Sequence, residues 1–376
     1  MKIGMVCYPS YGGSGVVATE LGYALGERGH EVHFISSSRP FRLHRFHEQL
    51  FFHEVTDVSY PLFKTAPYTL LLANKIVEVA NYVGLDVIHA HYAIPHSISA
   101  YLAKQMITRP LPLVTTLHGT DVTLVGAHEE FFQLTRLALR VSERITAVSQ
   151  ALARETEETF GTTEQGIEII PNFIDPKAYF PMERSLGRCR KYFAPHGEKI
   201  LAHISNFREV KRVLDVVNIF AQVEKVVNCR LLLVGDGPEM SRVEREVVRL
   251  GLEGKVQFLG KQESVQEILQ MVDVFLLPSE QESFGLVALE AMACGVPVVC
   301  SRVGGLPEVV QHGKTGFLAE VGDVQGMSEA VLKLLTDDAC YRIFSEQAVT
   351  WARETFPVER AVRAYERVYE SVVRDS

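Results

Sequence analysis

Two glutamates eight residues apart, Glu282 and Glu290, stand in the segment PSEQESFGLVALEAMACGVPVVCSRVGGLPEVV, residues 278–310. Between them Ser283-Phe284-Gly285-Leu286-Val287 reads as the first turn of a helix over 285–293, with a glycine in it. A helix start offers unpaired backbone N–H groups and the positive end of the helix dipole, and glycine leaves room for an anion to reach them. Such a start suits a diphosphate. Glu282, just before it, then meets a sugar on one side. At about 1.5 Å per residue, Glu290 lies roughly 8 to 12 Å further along, where it can hold a ribose on the other.

A cation for that diphosphate is offered by Lys211 in ISNFREVKRVLDVV, which follows a strand-like run and begins a helical one; Asn206 and Arg208 precede it in the same loop. An ammonium placed there neutralises the charge of a departing diphosphate. His118 ends the apolar run of LVTTLHGTDVTLVG, two residues after Thr116. His89 and His91 alternate along one run and so share a face. No third ligand at suitable spacing accompanies them, so no metal site is indicated.

The stretch YPSYGGSGVVATELGYALGERGHEVHFISSS, residues 8–38, sets Gly12, Gly13 and Gly15 around Ser14 between a strand and a helix. It is a second turn suited to a phosphate or carboxylate. Gly13-x-Gly15-x-x-Ala18 fits the loose dinucleotide fingerprint, but an NAD site needs an acidic residue at the end of the next strand to hold the ribose. Here EVHFISSS ends in serines followed by Arg39, which leaves only an NADP variant of that reading.

The elements that must position these residues follow from the hydrophobic pattern. KIGMVC precedes a helix over 16–28, DVIHAH precedes one over 96–108, LPLVTTL one over 128–141 and RITAVS one over 149–160. After GIEIIPNFIDPKAYFP the pattern restarts with KILAHIS, RLLLVG, KVQFLG, VDVFLLP and VPVVCS, separated by helices over 211–226, 238–250, 263–271 and 285–293. This alternation is that of βαβ units in a parallel sheet. The chain is expected to be an α/β protein with two doubly wound domains in tandem. The expected bounds are 1–170, 171–355 and a C-terminal helix over 356–376 that crosses back to the first domain. In doubly wound sheets ligands bind beyond the carboxyl ends of the strands, where every candidate above falls.

Composition sets the outer limits. At 376 residues and 47% hydrophobic content the chain can bury two cores. Its net charge of −8 argues against nucleic acid as a partner. No apolar stretch approaches the roughly 20 residues of a spanning helix, and no signal-peptide pattern opens the chain, so a cytoplasmic protein without stable membrane association is expected. The cysteines at 7, 189, 229, 294, 300 and 340 form no C-x-x-C pair and read as reduced, mostly buried thiols.

With these residues in view, the segment around Glu282 and Glu290 resembles the glutamate-x7-glutamate motif of the retaining GT-B glycosyltransferases of family 4. The likeness extends over nearly the whole chain, including the glycine loop, NFID and VGDGPE. It implies two Rossmann-like domains facing a central cleft, a UDP-sugar donor held by the C-terminal one and the acceptor mainly by the N-terminal one, with no metal and no further cofactor. Carried over, Glu282 contacts the donor-sugar hydroxyls, Glu290 the ribose, and the amides of Phe284, Gly285, Leu286 and Val287 the diphosphate. His118 lies beside the reacting carbon, and the loop with Gly13 and Gly15 meets donor phosphate or acceptor from the opposite wall. Many members carry an arginine where Asn206 stands, so the second cation beside Lys211 is left between Asn206 and Arg208.

CYPSYGGSGVVATELG, RGHEVHFISSSRPFRL, HAHYAIPH and LHGTDVTLVG are similar to the branch of the family that joins N-acetylglucosamine from UDP-N-acetylglucosamine to L-malate, the first step of bacillithiol biosynthesis. Other soluble acceptors such as an inositol phosphate, or a lipid acceptor, are the alternatives within the family. Outside it stand a nucleotide-sugar epimerase and a non-catalytic nucleotide-binding protein. A small dianion needs hydroxyls and cations at strand ends. Ser14, Tyr92 and Thr116 offer the former and Arg136 the latter, with Arg39 and Arg42 in reserve and Arg144 at the wrong end of its strand. A homodimer is compatible with this reading. A retaining double displacement needs a carboxylate nucleophile under the anomeric carbon. No matched position supplies one, which favours front-face substitution.

Overall fold

Parallel pairing needs a crossover between neighbouring strands, and the chain supplies a helical one after nearly every apolar run. In the computed structural model, which describes residues 1–9, 12–57, 66–182 and 188–375 with the side chains of 188 and 189 excepted, these runs build two sheets. The first has seven strands: β1 (Lys2–Val6), β2 (Glu31–Ser36), β3 (Leu50–Glu54), β4 (Val87–His91), β5 (Leu113–Leu117), β6 (Arg144–Ala147) and β7 (Ile167–Ile169). Their spatial order is β3-β2-β1-β4-β5-β6-β7, and every pair is parallel.

The second sheet has six: β8 (Lys199–Ile204), β9 (Cys229–Val234), β10 (Val256–Gly260), β11 (Val274–Leu277), β12 (Val298–Ser301) and β13 (Gly316–Ala319). Its order is β10-β9-β8-β11-β12-β13, again all parallel. Central strands such as β4, β5 and β11 are buried along their whole length, with His89, His91, Thr115 and Thr116 buried among the apolar residues. In each sheet the strand order reverses at one place, between β1 and β4 and between β8 and β11. A crevice opens there beyond the strand ends.

The chain divides into two compact units, Met1–Asn172 with the terminal stretch from Val358, and Phe173–Pro357. Pro357 separates the helix Asp338–Thr355 from the helix Val358–Arg374, since proline lacks the N–H and crowds the preceding turn. Where the chain enters the second unit, the N–H of Ile174 donates to the carbonyl of Phe356 at 2.9 Å. The helix Val358–Arg374 packs on the first unit through buried Tyr365 and Tyr369. Glu366 accepts from Arg28 at 2.7 and 2.8 Å and lies 3.0 Å from His30.

The helices foreseen from the pattern are present with shifted ends. The first starts at Gly13 rather than 16, and the one expected over 211–226 runs over Val213–Val223. Lys211 therefore sits in a short 3₁₀ turn, Glu209–Lys211, before the helix and not in it. Cys7, Cys229, Cys294 and Cys300 are buried free thiols; burial pushes Cys7, Cys229 and Cys294 up to about 12. Among the described residues no helix is long and apolar enough to cross a membrane, and no group of three or more His, Cys, Asp or Glu is placed to hold a metal ion.

Candidate active site

At the reversal point of the second sheet, β8 runs into the loop 205–211 and β11 into the loop 278–285. The N–H of Glu280 donates to the carbonyl of Val210 at 2.7 Å, which ties the two loops. Across them Lys211 Nζ donates to Glu282 Oε2 at 2.6 Å, with the side chains only 20% and 16% exposed. Two residues picked independently from the sequence are thus one ion pair. Ser279 Oγ approaches the same oxygen at 3.4 Å.

The helix Leu286–Ala293 begins at Gly285, whose φ of +92° is left-handed and whose place no side-chain cap fills. Its first amides, with Leu286 and Val287 among them, are left for an anion. Gly304, at φ +49°, lies where a Cβ would come 2.0 Å from the carbonyl oxygen of Glu282. Only glycine allows that approach, and the next N–H, of Gly305, donates to the same oxygen at 2.9 Å. Phe284 buries its ring, edge-on to Phe356 with centroids 5.7 Å apart, so its backbone N–H is what it can offer a donor. Glu290 is 5% exposed and accepts from the Tyr179 hydroxyl at 2.5 Å.

Asn206 and Arg208 are exposed in their loop. Beneath them Ser205 Oγ accepts from the N–H of Phe207 at 3.2 Å and lies 2.8 Å from His203 Nε2. The other ring nitrogen of His203 donates to the Leu276 carbonyl at 2.9 Å. Burial holds His203 neutral, down at about 4, with nearby Lys211 pushing the same way against the Leu276 bond.

At the reversal point of the first sheet, the helix Gly13–Glu27 starts from Gly12 with no side-chain cap among the described residues. Gly12 has φ −80° and Gly13 and Gly15 are helical, so these glycines supply room and not left-handed backbone. Ser14 is buried at the helix start. β4 ends in His91 and then Tyr92, a non-glycine residue at φ +100°. The N–H of Tyr92 donates to the Thr116 carbonyl at 3.0 Å, and its ring stacks on His118 with centroids 5.6 Å apart. Half-buried His118 places Nε2 2.9 Å from His91 Nδ1. Asp121 joins the ends of β4 and β5 by accepting from the N–H groups of Ala93, His118 and Gly119 at 2.9, 3.1 and 2.9 Å. Burial raises its carboxyl to about 6 against the pull of those backbone donors.

One acceptor assignment does not fit the structure. Thr116 is fully buried, with its hydroxyl 2.7 Å from His89 Nε2, 2.7 Å from Thr146 Oγ1 and 3.2 Å from the Tyr365 hydroxyl. It supports the histidines from below and does not face a ligand, because residues alternate faces along a strand and this one points to the terminal helix. Arg136 is exposed on the helix Glu129–Val141, its guanidinium in no hydrogen bond or ion pair among the described residues. Arg39 is also exposed, Arg42 lies 3.6 Å from Glu20, and Arg144 opens β6, 3.5 Å from Asp375. Sequence reasoning gave no role to Asp121, Tyr179, Tyr365 or Tyr369. Only Asp121 had a local signal, a carboxylate two residues after the glycine of a strand-end loop.

Two parallel α/β units, with an uncapped helix start flanked by two glutamates in the second, are the features of a glycosyltransferase of GT-B fold. The comparisons agree. The model for Glycosyltransferase Family 4 matches residues 11–178 and that for Glycosyl transferases group 1 matches residues 189–351. The chain is 51% identical over 376 residues, 100% of its own length and 98% of the relative's, to the N-acetyl-alpha-D-glucosaminyl L-malate synthase of Bacillus anthracis. It is 27% identical to an uncharacterized glycosyltransferase of Methanocaldococcus jannaschii, over 90% of each. The crystal structure of Anabaena Alr3699/HepE in complex with UDP and glucose superposes with a TM-score of 0.84 at 22% identity, covering 99% of this chain and 100% of that one. The chain belongs to the family 4 glycosyltransferases.

Proposed function

We propose that the protein transfers N-acetylglucosamine from UDP-N-acetylglucosamine to the hydroxyl of L-malate with retention at the anomeric carbon, the first step of bacillithiol biosynthesis. The full-length 51% identity to the relative of that name carries the reading. The local chemistry supports it. The helix start at Gly285 takes the diphosphate, Glu290 the ribose and Glu282 the sugar hydroxyls, while Lys211 meets the phosphate charge that grows as the bond to the sugar breaks. The malate hydroxyl oxygen bonds to the anomeric carbon on the face the diphosphate leaves, and the hydroxyl proton passes to the leaving phosphate oxygen. Asp121, the carboxylate bonded to the His118 loop, is committed to three backbone donors, which disfavours it as a nucleophile. Catalysis then rests on positioning and electrostatics. The test is incubation with UDP-N-acetylglucosamine and a panel of hydroxy acids and inositol phosphates, with products identified by mass. A malate glycoside is expected. Turnover only with another acceptor would reassign the substrate, and donor conversion without acceptor would indicate an epimerase.

A further inference from the structure

His91 has no evident part in that chemistry, yet it touches the residue that does. Its Nδ1 lies 2.9 Å from Nε2 of His118, and its own Nε2 is buried with no hydrogen-bond partner among the described residues. A hydrogen bond between two neutral imidazoles needs one N–H and one bare nitrogen, so only two arrangements exist. If His91 carried its proton on Nε2, a buried N–H would be left without an acceptor. If the proton is on Nδ1, the orphan is a bare ring nitrogen. Buried N–H groups without acceptors are the rarer of the two in native proteins. The neighbour His89 offers no way out, because its ring nitrogens are engaged by Thr116 and by Tyr369, each at 2.7 Å.

His96 shows which arrangement this pocket accepts. Its Nδ1 lies 2.5 Å from the carbonyl oxygen of His91, which can only accept, so His96 must be protonated at Nδ1. Its Nε2, like that of His91, is then a bare nitrogen without a partner among the described residues. A doubly protonated His91 is disfavoured by burial and by the histidines around it, all of which lower its affinity for a second proton.

We infer that His91 is a positioning residue: it carries its proton on Nδ1, donates it to Nε2 of His118, and so fixes His118 in the Nδ1–H tautomer. The Nδ1 of His118 has no protein partner among the described residues, and the half-buried side chain leaves it for a ligand. His118 then presents an N–H to an oxygen of the substrate and cannot act as a base through that nitrogen. The substrate role rests on the glycosyl-transfer reading above; the tautomer does not.

The test is long-range ¹H–¹⁵N spectroscopy of the full chain labelled in its histidine rings, at pH 7, with the His118 signals assigned by their loss in His118→Asn. Nδ1–H on His118 in the wild type is expected, and Nε2–H would overturn the inference. In His91→Ala, His118 should revert to the Nε2–H form, and roughly tenfold of the transfer rate should be lost, as for one oriented hydrogen bond. Persistence of Nδ1–H in that variant would also overturn it. Should His91→Ala fail to fold, His91→Leu provides the same readout with the volume better filled. A protein with the Nδ1–H tautomer that makes no malate glycoside would sink the functional reading and leave this one standing.

Discussion

The two units hold their loops at a sheet's reversal point with opposite chemistry. In the C-terminal unit the work is done by charge: the Lys211–Glu282 pair bridges the loops after β8 and β11. In the N-terminal unit it is done by neutral rings. His89, His91 and His96 are fully buried; His89 bonds to Thr116 and Tyr369, and Thr116 to Tyr365, while His91 bonds to His118 and its carbonyl to His96, and the rings of His89 and His91 meet with centroids 4.2 Å apart. An ion pair can exchange one partner for a phosphate and so responds to the charge of a ligand. A buried neutral cluster cannot change charge cheaply. It fixes which nitrogen carries a proton. On the proposed reading the charged unit serves the leaving group, and the neutral one orientation.

The sharpest way to break this contrast is to remove the charge. Lys211→Met should leave the fold intact and lower kcat by about 100- to 1,000-fold, the range for losing one group aimed at charge that develops in a transition state. Steady-state kinetics with a parallel thermal melt would check it. A kcat within a few-fold of wild type would mean that the diphosphate is neutralised elsewhere, with Arg208 the next residue to change.

Acid should separate the units. Burial lowers His89 to about 3 and His96 to about 4, below their ordinary value of 6.5, and holds His91 well below that value too. Their neutrality costs nothing above pH 6.5. Below it the unfolded chain takes up protons that the folded one refuses, so stability is lost as pH falls from 6.5 towards 4. Each such histidine contributes up to about 1.4 kcal/mol per pH unit, or about 2 kcal/mol at pH 5. Asp121 works against them below about pH 6, because its raised folded value favours protonation in the folded state. It is one carboxyl against several imidazoles. The C-terminal unit carries only His203 in a comparable state among its described residues. Hydrogen exchange at pH 5 should therefore show β4 and β5 losing protection before β8 and β11. Equal loss in both would refute the assignment.

How far the sequence shows these sites depends on how locally they are encoded. Lys211, Glu282, His118 and Gly285 were readable because the alternation of apolar runs and helices fixes which residues lie at carboxyl ends of strands. The topology then brings such ends together. The strands β3, β7 and β13 were not foreseen. They are the short, partly exposed outer strands next to which one side lacks a partner, and their apolar signal is correspondingly thin. Thr116 was placed on the ligand side because nothing near it in the chain reveals that Tyr365, 249 residues away, sits underneath. Tyr179 was invisible for the same reason, being 111 residues from Glu290 in an irregular segment without periodicity.

That tyrosine gives the smallest expected effect. Its hydroxyl donates to Glu290 Oε1 at 2.5 Å, and Glu290 is the carboxylate assigned to the ribose. That bond helps to fix the carboxylate before a ligand arrives. Tyr179→Phe removes the hydroxyl while keeping the ring volume. The carboxylate then loses a charge-assisted bond and gains freedom that binding must remove. UDP affinity should fall about three- to tenfold, corresponding to roughly 0.7 to 1.4 kcal/mol, with the melting temperature little changed. Glu290→Ala should weaken UDP more than this, and the double variant no more than Glu290→Ala alone, since the hydroxyl acts through the carboxylate. Titration calorimetry on the three variants distinguishes the cases. Additive losses in the double variant would mean that Tyr179 meets the nucleotide itself, and the C-terminal unit would then also orient its ligand with a neutral group.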